Sequence, residues 1–181
     1  MELMDLEGFH HELQTRLVGS LGLVQACLPL LRQGGGRILW IATPAIIPTP
    51  YVSSIHACDF AVNCLARTLD IELKPWQVSN ILIRCGGIKT ARGMSTPAEE
   101  EPILQHPRGE LYRKALVKWF AEMAEFDQKR TEPEQVARVI LRALHDPKPK
   151  RRYSVGYMSG AAALLEGLPQ SLTDKIMKMR F

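Results

Sequence analysis

The hydrophobic positions along this chain follow two spacings, which predict helices and strands in alternation. Apolar side chains recur every three or four positions, as on one helix face, in these segments: residues 9–33, 52–73, 111–127, 131–144, 161–165 and 172–179. Three segments predict strands: residues 37–42, 78–83 and 152–156. The first contains a continuous apolar run, Ile38–Ala42, of the kind typical of buried parallel strands. Alternation of this kind predicts an α/β fold with parallel strands in a single domain covering residues 1–181.

Two segments break this regularity. Prolines 44, 48 and 50 exclude regular structure between the first strand and the second long helix. Residues 91–109 are polar and rich in Pro, Gly and Glu, and we expect a flexible loop there. Helices follow this loop at about 110–145. Their aromatic side chains, Trp119, Phe120 and Phe126 with Met123, either line a pocket or belong to the core.

The amino-acid composition reduces the number of function classes that fit this chain. An apolar content of 46% and a charged content of 23% are typical of a soluble globular protein, and a net charge of +4 is too weak to indicate nucleic acid. The basic excess near the C-terminus indicates a solvated surface or, alternatively, an anionic partner or membrane surface. No apolar run reaches the ~20 residues of a membrane helix. Four cysteines without CxxC pairing favour a reducing, cytoplasmic location, and the isolated histidines predict no metal site.

The most informative chemistry lies where the first strand ends. Thr43 follows the strand, His56 comes thirteen positions later, and Phe60 follows after four more. This frame resembles the catalytic stretch of the short-chain dehydrogenase/reductase family, in which Ser, Tyr and Lys stand at the same spacing. The resemblance extends to other segments in the right order, including Gly36-Arg37-Ile38-Leu39 and Cys85–Thr90, and residues 133–156 resemble the tail of hydroxysteroid- and retinol-type members.

The resemblance implies the C-terminal part of a Rossmann-like, doubly wound parallel sheet. It implies NAD(P) as cofactor, with Gly86, Ile88 and Thr90 at the positions that contact its nicotinamide end; Gly86 could instead serve only the turn after a strand. It also implies a homo- or heterodimer through helices 9–33 and 52–73. The implied ligand is a hydrophobic small molecule (steroid-, retinoid- or polyketide-like), with the helices at about 110–145 as a cap over its pocket.

Four positions depart from the family's active site. The family's Asn falls on Arg16, its Ser on Thr43, its Tyr on His56 and its Lys on Phe60. A tyrosine with an ordinary pKa of about 10 needs the nearby lysine cation to ionise, and Phe60 supplies no charge. His56 can be a proton-transfer residue, paired with Asp59 on the same helix, or a histidine in an eroded site. Thr43 can bind a substrate carbonyl or satisfy local backbone groups.

A further departure concerns the cofactor. The sequence contains no GxGxxG or GxxxGxG turn, whose backbone N–H groups bind pyrophosphate in the family. We therefore expect the N-terminal cofactor-binding βαβ units to be lacking. The leading hypothesis is a degenerate family member without independent redox activity or cofactor, associating with a full-length relative. The alternative is an oxidoreductase, or an isomerase, lyase or cyclase, that acts on a hydrophobic small molecule with His56 as acid/base.

Overall fold

A three-stranded parallel sheet organises the chain. The computed structural model describes residues 1–44, 49–90 and 101–180. Strands β1 (Gly36–Ala42), β2 (Val78–Cys85) and β3 (Arg152–Val155) lie side by side in that order. Gly36 is in register with Val78, and Leu82 with Arg152. All three predicted strands are confirmed, with ends that differ by at most two residues from the prediction.

Eight α-helices are described: α1 (Leu6–Leu13), α2 (Gly19–Gly34), α3 (Ser53–Glu72), α4 (Glu101–Gln105), α5 (Gly109–Gln128), α6 (Pro133–His145), α7 (Ser159–Leu165) and α8 (Gln170–Arg180). The helix predicted at 9–33 begins earlier, at Leu6, because Asp5 caps it: the Asp5 carboxylate accepts hydrogen bonds from the N–H groups of Glu7 and Gly8. A π-helical turn, Gln14–Val18, joins α1 to α2.

The loop prediction for residues 91–109 is wrong in part. Residues 91–100 lie outside the described residues, but α4 occupies 101–105. The polar composition concealed two apolar residues, Ile103 and Leu104, which are half-buried. Gly109 then permits the close turn into α5, since a Cβ there would lie 2.6 Å from the Leu104 carbonyl oxygen. This segment is therefore a short helix followed by a tight turn.

The sheet carries a hydrophobic core on each face, which confirms the doubly wound α/β class. One core packs α2 and α3 against β1 and β2 around Trp40, Val62 and Leu82. The other packs α6 against β2 and β3 around Ile83, Ala143 and Tyr153. Helices cover both faces, as in Rossmann-like folds. The carboxyl ends of the strands consequently meet at one edge of the sheet.

Arg37 attaches α6 to the start of β1. Its Nη1 donates a hydrogen bond of 2.6 Å to the carbonyl oxygen of Ala143, and its Nη2 donates one of 2.7 Å to that of Asp146. Carbonyls at a helix C-terminus have no partner within the helix and carry the negative end of its dipole. The guanidinium of Arg37 supplies both hydrogen-bond donors for these carbonyls and a positive charge beside the dipole. Helix α6 is therefore held at a fixed position on the sheet.

A second arginine attaches the end of α7. Arg84 is buried in β2, and both of its terminal nitrogens donate hydrogen bonds of 2.9 Å to Glu166 Oε2. Arg152 of β3 donates to the other oxygen of Glu166. Burial acts to raise the pKa of the Glu166 carboxyl, but the hydrogen bonds and charges of Arg84 and Arg152 outweigh it and leave the pKa below its ordinary value.

This lowered pKa predicts acid sensitivity. Glu166 stabilises the fold fully above its unfolded pKa of about 4.3, and this contribution is lost as pH falls through the lower folded value. Chemical denaturation of the unmodified chain and of Glu166→Gln should therefore show a stability difference at pH 6 that shrinks toward about pH 3. The exposed Glu134→Gln serves as the control and should change stability little. A Glu166 difference that stays constant with pH would contradict this account.

Candidate functional site

Asp59 joins three elements at the carboxyl edge of the sheet. Its side chain lies on the inner face of α3 and is only 3% exposed. Asp59 Oδ2 accepts hydrogen bonds from the Thr43 backbone N–H at 2.8 Å and from the Thr43 hydroxyl at 2.6 Å. Asp59 Oδ1 lies 3.5 Å from Arg16 Nη1, on the π-helical turn. One carboxylate thus ties the end of β1 to α3 and to the helix that begins the chain.

The chemistry of a buried carboxylate explains this arrangement. A carboxylate taken out of water is costly unless hydrogen bonds and an opposite charge compensate. Thr43 supplies two hydrogen bonds and Arg16 supplies the charge. A hydroxyl has a single proton to donate, and Thr43 gives that proton to Asp59. The Thr43 hydroxyl can still accept a hydrogen bond, but in this arrangement it cannot donate one to a substrate carbonyl.

His56 and Phe60 lie one turn apart on α3. His56 is half-buried in the first turn, where its backbone N–H donates to the carbonyl oxygen of Val52 at 3.2 Å. Phe60 is 42% exposed. The Asp59 oxygens bond to Thr43 and Arg16, and the pairing of Asp59 with His56 stays a prediction. Of the four family positions, Arg16 and Thr43 thus meet on Asp59, while His56 and Phe60 lie on the same helix as Asp59.

The importance of Asp59 was not evident from the sequence, in which Arg16, Thr43 and Asp59 were predicted to have separate roles. The available signal was its position, because an aspartate on the buried face of a helix needs a partner.

Two cysteines adjoin the group. Burial, and to a lesser degree the Asp59 charge, raises the pKa of the Cys85 thiol, and burial followed by the Glu12 charge raises that of Cys58. Thiols of raised pKa are poor nucleophiles, which argues against a cysteine reaction here.

The predicted cofactor-binding segment follows β2 and is firmly attached to its neighbours. The N–H groups of Gly86 and Gly87 donate to the carbonyl oxygens of Val155 and Tyr157, and the Lys89 N–H donates to that of Thr131. Ile88 is half-buried, and its carbonyl oxygen accepts a hydrogen bond of 3.1 Å from Arg130. Thr90 is exposed. Of the three predicted contacts, Gly86 and Ile88 are thus half-buried, and Thr90 is exposed.

Close packing accounts for both glycines. A Cβ at Gly86 would lie 2.1 Å from the Tyr157 carbonyl oxygen, and one at Gly87 would lie 2.7 Å from the Phe126 ring. Neither glycine has a positive φ. The close approach of the backbone after β3, rather than turn conformation, therefore requires Gly86.

A separate cavity of about 430 Å³ lies between the N-terminal residues and the start of α3. Its lining combines apolar and polar side chains, among them Met4, Phe9, Glu12, Tyr51 and Ile103. Neither Thr43 nor His56 is in that lining. Trp119, one of the predicted pocket or core aromatics, packs edge-on against Tyr51 and Phe120. Phe126, near the end of α5, packs instead against Tyr157, with ring centroids 5.2 Å apart. The aromatic residues of α5 thus divide between two groups, one around Tyr51 and one at Tyr157.

Neither a cluster of metal-ligating side chains nor a membrane-spanning helix occurs in the described ranges 1–44, 49–90 and 101–180. Within them, no group of three or more His, Cys, Asp or Glu side chains is placed to hold a metal ion. No described helix is both long and apolar enough to cross a membrane.

Comparisons with known proteins define the family. The family model for short chain dehydrogenase matches residues 1–101, more than half of the chain. The chain therefore belongs to the short-chain dehydrogenase family, as the frame from Thr43 to Phe60 predicted. Human 17-beta-hydroxysteroid dehydrogenase type 1 is 30% identical over 78% of this chain and 44% of its own length. Human 11-beta-hydroxysteroid dehydrogenase type 2 is 34% identical over 49% of this chain and 22% of its own length.

These relatives support the predicted likeness to hydroxysteroid dehydrogenases. An uncharacterized oxidoreductase, YusZ of Bacillus subtilis, is 26% identical over 99% of this chain and 65% of its own length. The chain thus spans less than two thirds of each of these relatives.

Solved structures confirm the fold. A short chain dehydrogenase from Burkholderia cenocepacia, crystallised with NADP, superposes with a TM-score of 0.70 and 18% identity over 96% of this chain and 60% of its own. One from Streptomyces avermitilis gives a TM-score of 0.71 and 18% identity over 99% of this chain and 65% of its own.

The bond between Thr43 and Asp59 predicts a measurable coupling. Asp59→Ala should destabilise the chain by about 2–4 kcal/mol, since it leaves the Thr43 N–H and Arg16 without their acceptor. Thr43→Val should cost about 1 kcal/mol or more, and Thr43→Ser, which keeps the hydroxyl, should cost less. The double variant Asp59→Ala/Thr43→Val, measured by urea denaturation, should show a coupling of about 0.5–3 kcal/mol. Strictly additive effects would contradict a direct bond.

The packing of Gly86 predicts opposite effects for two glycine-to-alanine variants. Gly86→Ala should lower the free energy of unfolding by about 2 kcal/mol or more, because the Tyr157 backbone must move away. Gly22→Ala, in the interior of α2 with no heavy atom within 4 Å of the new Cβ, should stabilise by about 0.5–1 kcal/mol. Thermal denaturation of both variants provides the test. A tolerated Gly86→Ala would show that this position has the room that a cofactor contact requires.

Proposed function

We propose that this chain is a degenerate short-chain dehydrogenase without independent NAD(P)-dependent redox activity, which acts by associating with a full-length relative. One observation carries the proposal: the Thr43 hydroxyl, at the position of the family's serine, donates its proton to the buried Asp59 carboxylate. Arg16, at the position of the family's asparagine, lies on the same carboxylate. Two of the four active-site positions thus serve an internal polar group.

The other two positions lack the family's proton chemistry. Phe60 supplies neither the positive charge that lowers a tyrosine pKa nor a hydrogen bond for a ribose. His56 can carry a proton, since imidazole titrates near neutrality. A reaction through His56 would nevertheless need a second group to orient the substrate carbonyl, and the Thr43 proton is already donated to Asp59. This geometry favours the degenerate role over the alternative of an altered His56 reaction.

The residues described after β2 do not fit a tightly held dinucleotide. The N–H groups of Gly86, Gly87 and Lys89 donate to carbonyl oxygens of the chain itself. A cofactor that needed these donors would have to displace hydrogen bonds already formed. The 181 residues also contain no glycine-rich turn for a pyrophosphate. The NADP of the Burkholderia complex is bound by that protein, which shares the fold of this chain at only 18% identity.

Exposed apolar side chains support association through the two long helices. Leu23 and Leu30 are exposed on α2, and Phe60 and Ile71 are exposed on α3. Large exposed apolar residues on neighbouring helices are typical of interaction surfaces. A full-length relative that presents the equivalent helices is the partner that we propose, because equivalent helices would offer a similarly apolar face.

Cofactor titration tests the proposal. Fluorescence or calorimetric titration of the purified chain with NADPH and NADP⁺ should give a Kd weaker than about 1 mM, and no carbonyl reduction should be detected. The variant His56→Tyr/Phe60→Lys, which restores the family's residues, should remain inactive, because cofactor binding is lacking as well. A Kd in the micromolar range together with turnover by the unmodified chain would overturn the proposal. Activity gained only by the restored variant would limit the defect to the catalytic positions.

A further inference from the structure

Helix α8 makes few close contacts with the rest of the described structure. It has 11 residues. An isolated helix of that length is marginal in water and depends on a surface for its stability. Ile176 and Met177 face inward and are half-buried. The opposite side of the helix is therefore available to a partner.

That outer side combines apolar and basic residues in one stripe. Leu172, Lys175 and Met179 stand at the i, i+3 and i+7 positions, with Lys178 beside them, and all four are exposed. Leu172 is 43% exposed and Met179 is 72% exposed. Two more exposed apolar residues precede the helix: Leu164, near the end of α7, and Leu168, in the turn that follows.

Charge is concentrated in the same part of the chain. From residue 147 onward there are seven basic residues against two acidic ones, although the whole chain carries only +4. One of the two acids, Glu166, is already bonded to Arg84 and Arg152. Lys175 and Lys178 form no ion pair within the described residues. The other acid, Asp174, lies on α8 but is half-buried, whereas Lys175 and Lys178 are exposed. The outer side of α8 therefore presents two lysines next to exposed apolar side chains.

We propose that α8 binds the surface of a membrane that contains anionic phospholipids. Leucine and methionine side chains of an interfacial helix enter the boundary between headgroups and acyl chains, while lysines extend their long stems toward the anionic headgroups. An apolar protein groove is a poorer fit, because groove-binding helices present an apolar stripe at i, i+3, i+4 and i+7, and here Lys175 interrupts it. Positive charge selects anionic over zwitterionic lipid.

Vesicle co-sedimentation tests this proposal on the full chain. The protein should bind vesicles of phosphatidylcholine with about 30% phosphatidylserine and should bind pure phosphatidylcholine vesicles at least about tenfold more weakly. Lys175→Gln/Lys178→Gln should weaken binding to the anionic vesicles by about 30-fold, since each lysine near such a surface contributes about fivefold. Leu172→Ser/Met179→Ser should weaken binding to both vesicle types, because it removes the apolar contribution.

Matched variants on α5 control for general changes in charge and hydropathy. Lys114→Gln/Lys118→Gln and Leu111→Ser/Val117→Ser alter exposed residues of the same types and should leave vesicle binding within about twofold. Circular dichroism should show that every variant keeps the fold. Absence of binding to anionic vesicles would overturn the proposal, as would equal losses for the α5 and α8 variants. Polyglutamate is an anionic polymer without acyl chains. An unmodified chain that binds polyglutamate but not anionic vesicles would also overturn the proposal. None of these outcomes depends on redox activity, so this proposal stands or fails separately from the proposed function.

Discussion

The arrangement at the carboxyl edge of the sheet depends on the need to compensate one buried charge. Asp59 is shielded from water, and a carboxylate in that position requires donors on both oxygens. Thr43, directly after β1, and Arg16, on the π-helical turn, meet this need. Through this carboxylate, β1, α3 and the N-terminal helices hold fixed relative positions.

The same interaction links structure to function. The residues that stabilise Asp59 stand at positions where the resemblance to the family places catalytic groups. A hydroxyl that donates to a buried carboxylate is not available as a donor to a substrate. The hydrogen bonds of Thr43 and Arg16 to Asp59 thus stabilise the fold. A reaction at the same place would need donors that are free to bond a substrate.

The sequence predicted the sheet well because buried strands have a local signal. Apolar runs such as Ile38–Ala42 identify a parallel strand without knowledge of its neighbours. The frame from Thr43 to Phe60 identified the family for a similar reason, since its spacing is contained in one strand–loop–helix unit. The short helix α4 escaped prediction because two apolar residues in a polar segment do not form a period.

The site itself depends on contacts between distant parts of the chain, which no local pattern reveals. Arg16 and Asp59 are 43 positions apart, and Glu166 is 82 positions from Arg84. The attachment of Gly86 to the backbone after β3 is equally remote in sequence. The sequence offered His56 as a partner for Asp59, but only the fold determines which residues approach this carboxylate. The exposed outer side of α8 likewise follows from how few of the described residues lie close to it, rather than from its own sequence.

Nuclear magnetic resonance of the ¹⁵N-labelled chain tests the central claim most directly, because it observes the amide of Thr43 and those of residues 86–90 individually. With Asp59 holding Thr43 and with the segment after β2 bonded to its neighbours, NADPH at concentrations up to about 1 mM should leave these amide resonances unshifted. Saturable shifts of the Thr43 and Ile88 amides at micromolar NADPH would contradict the account.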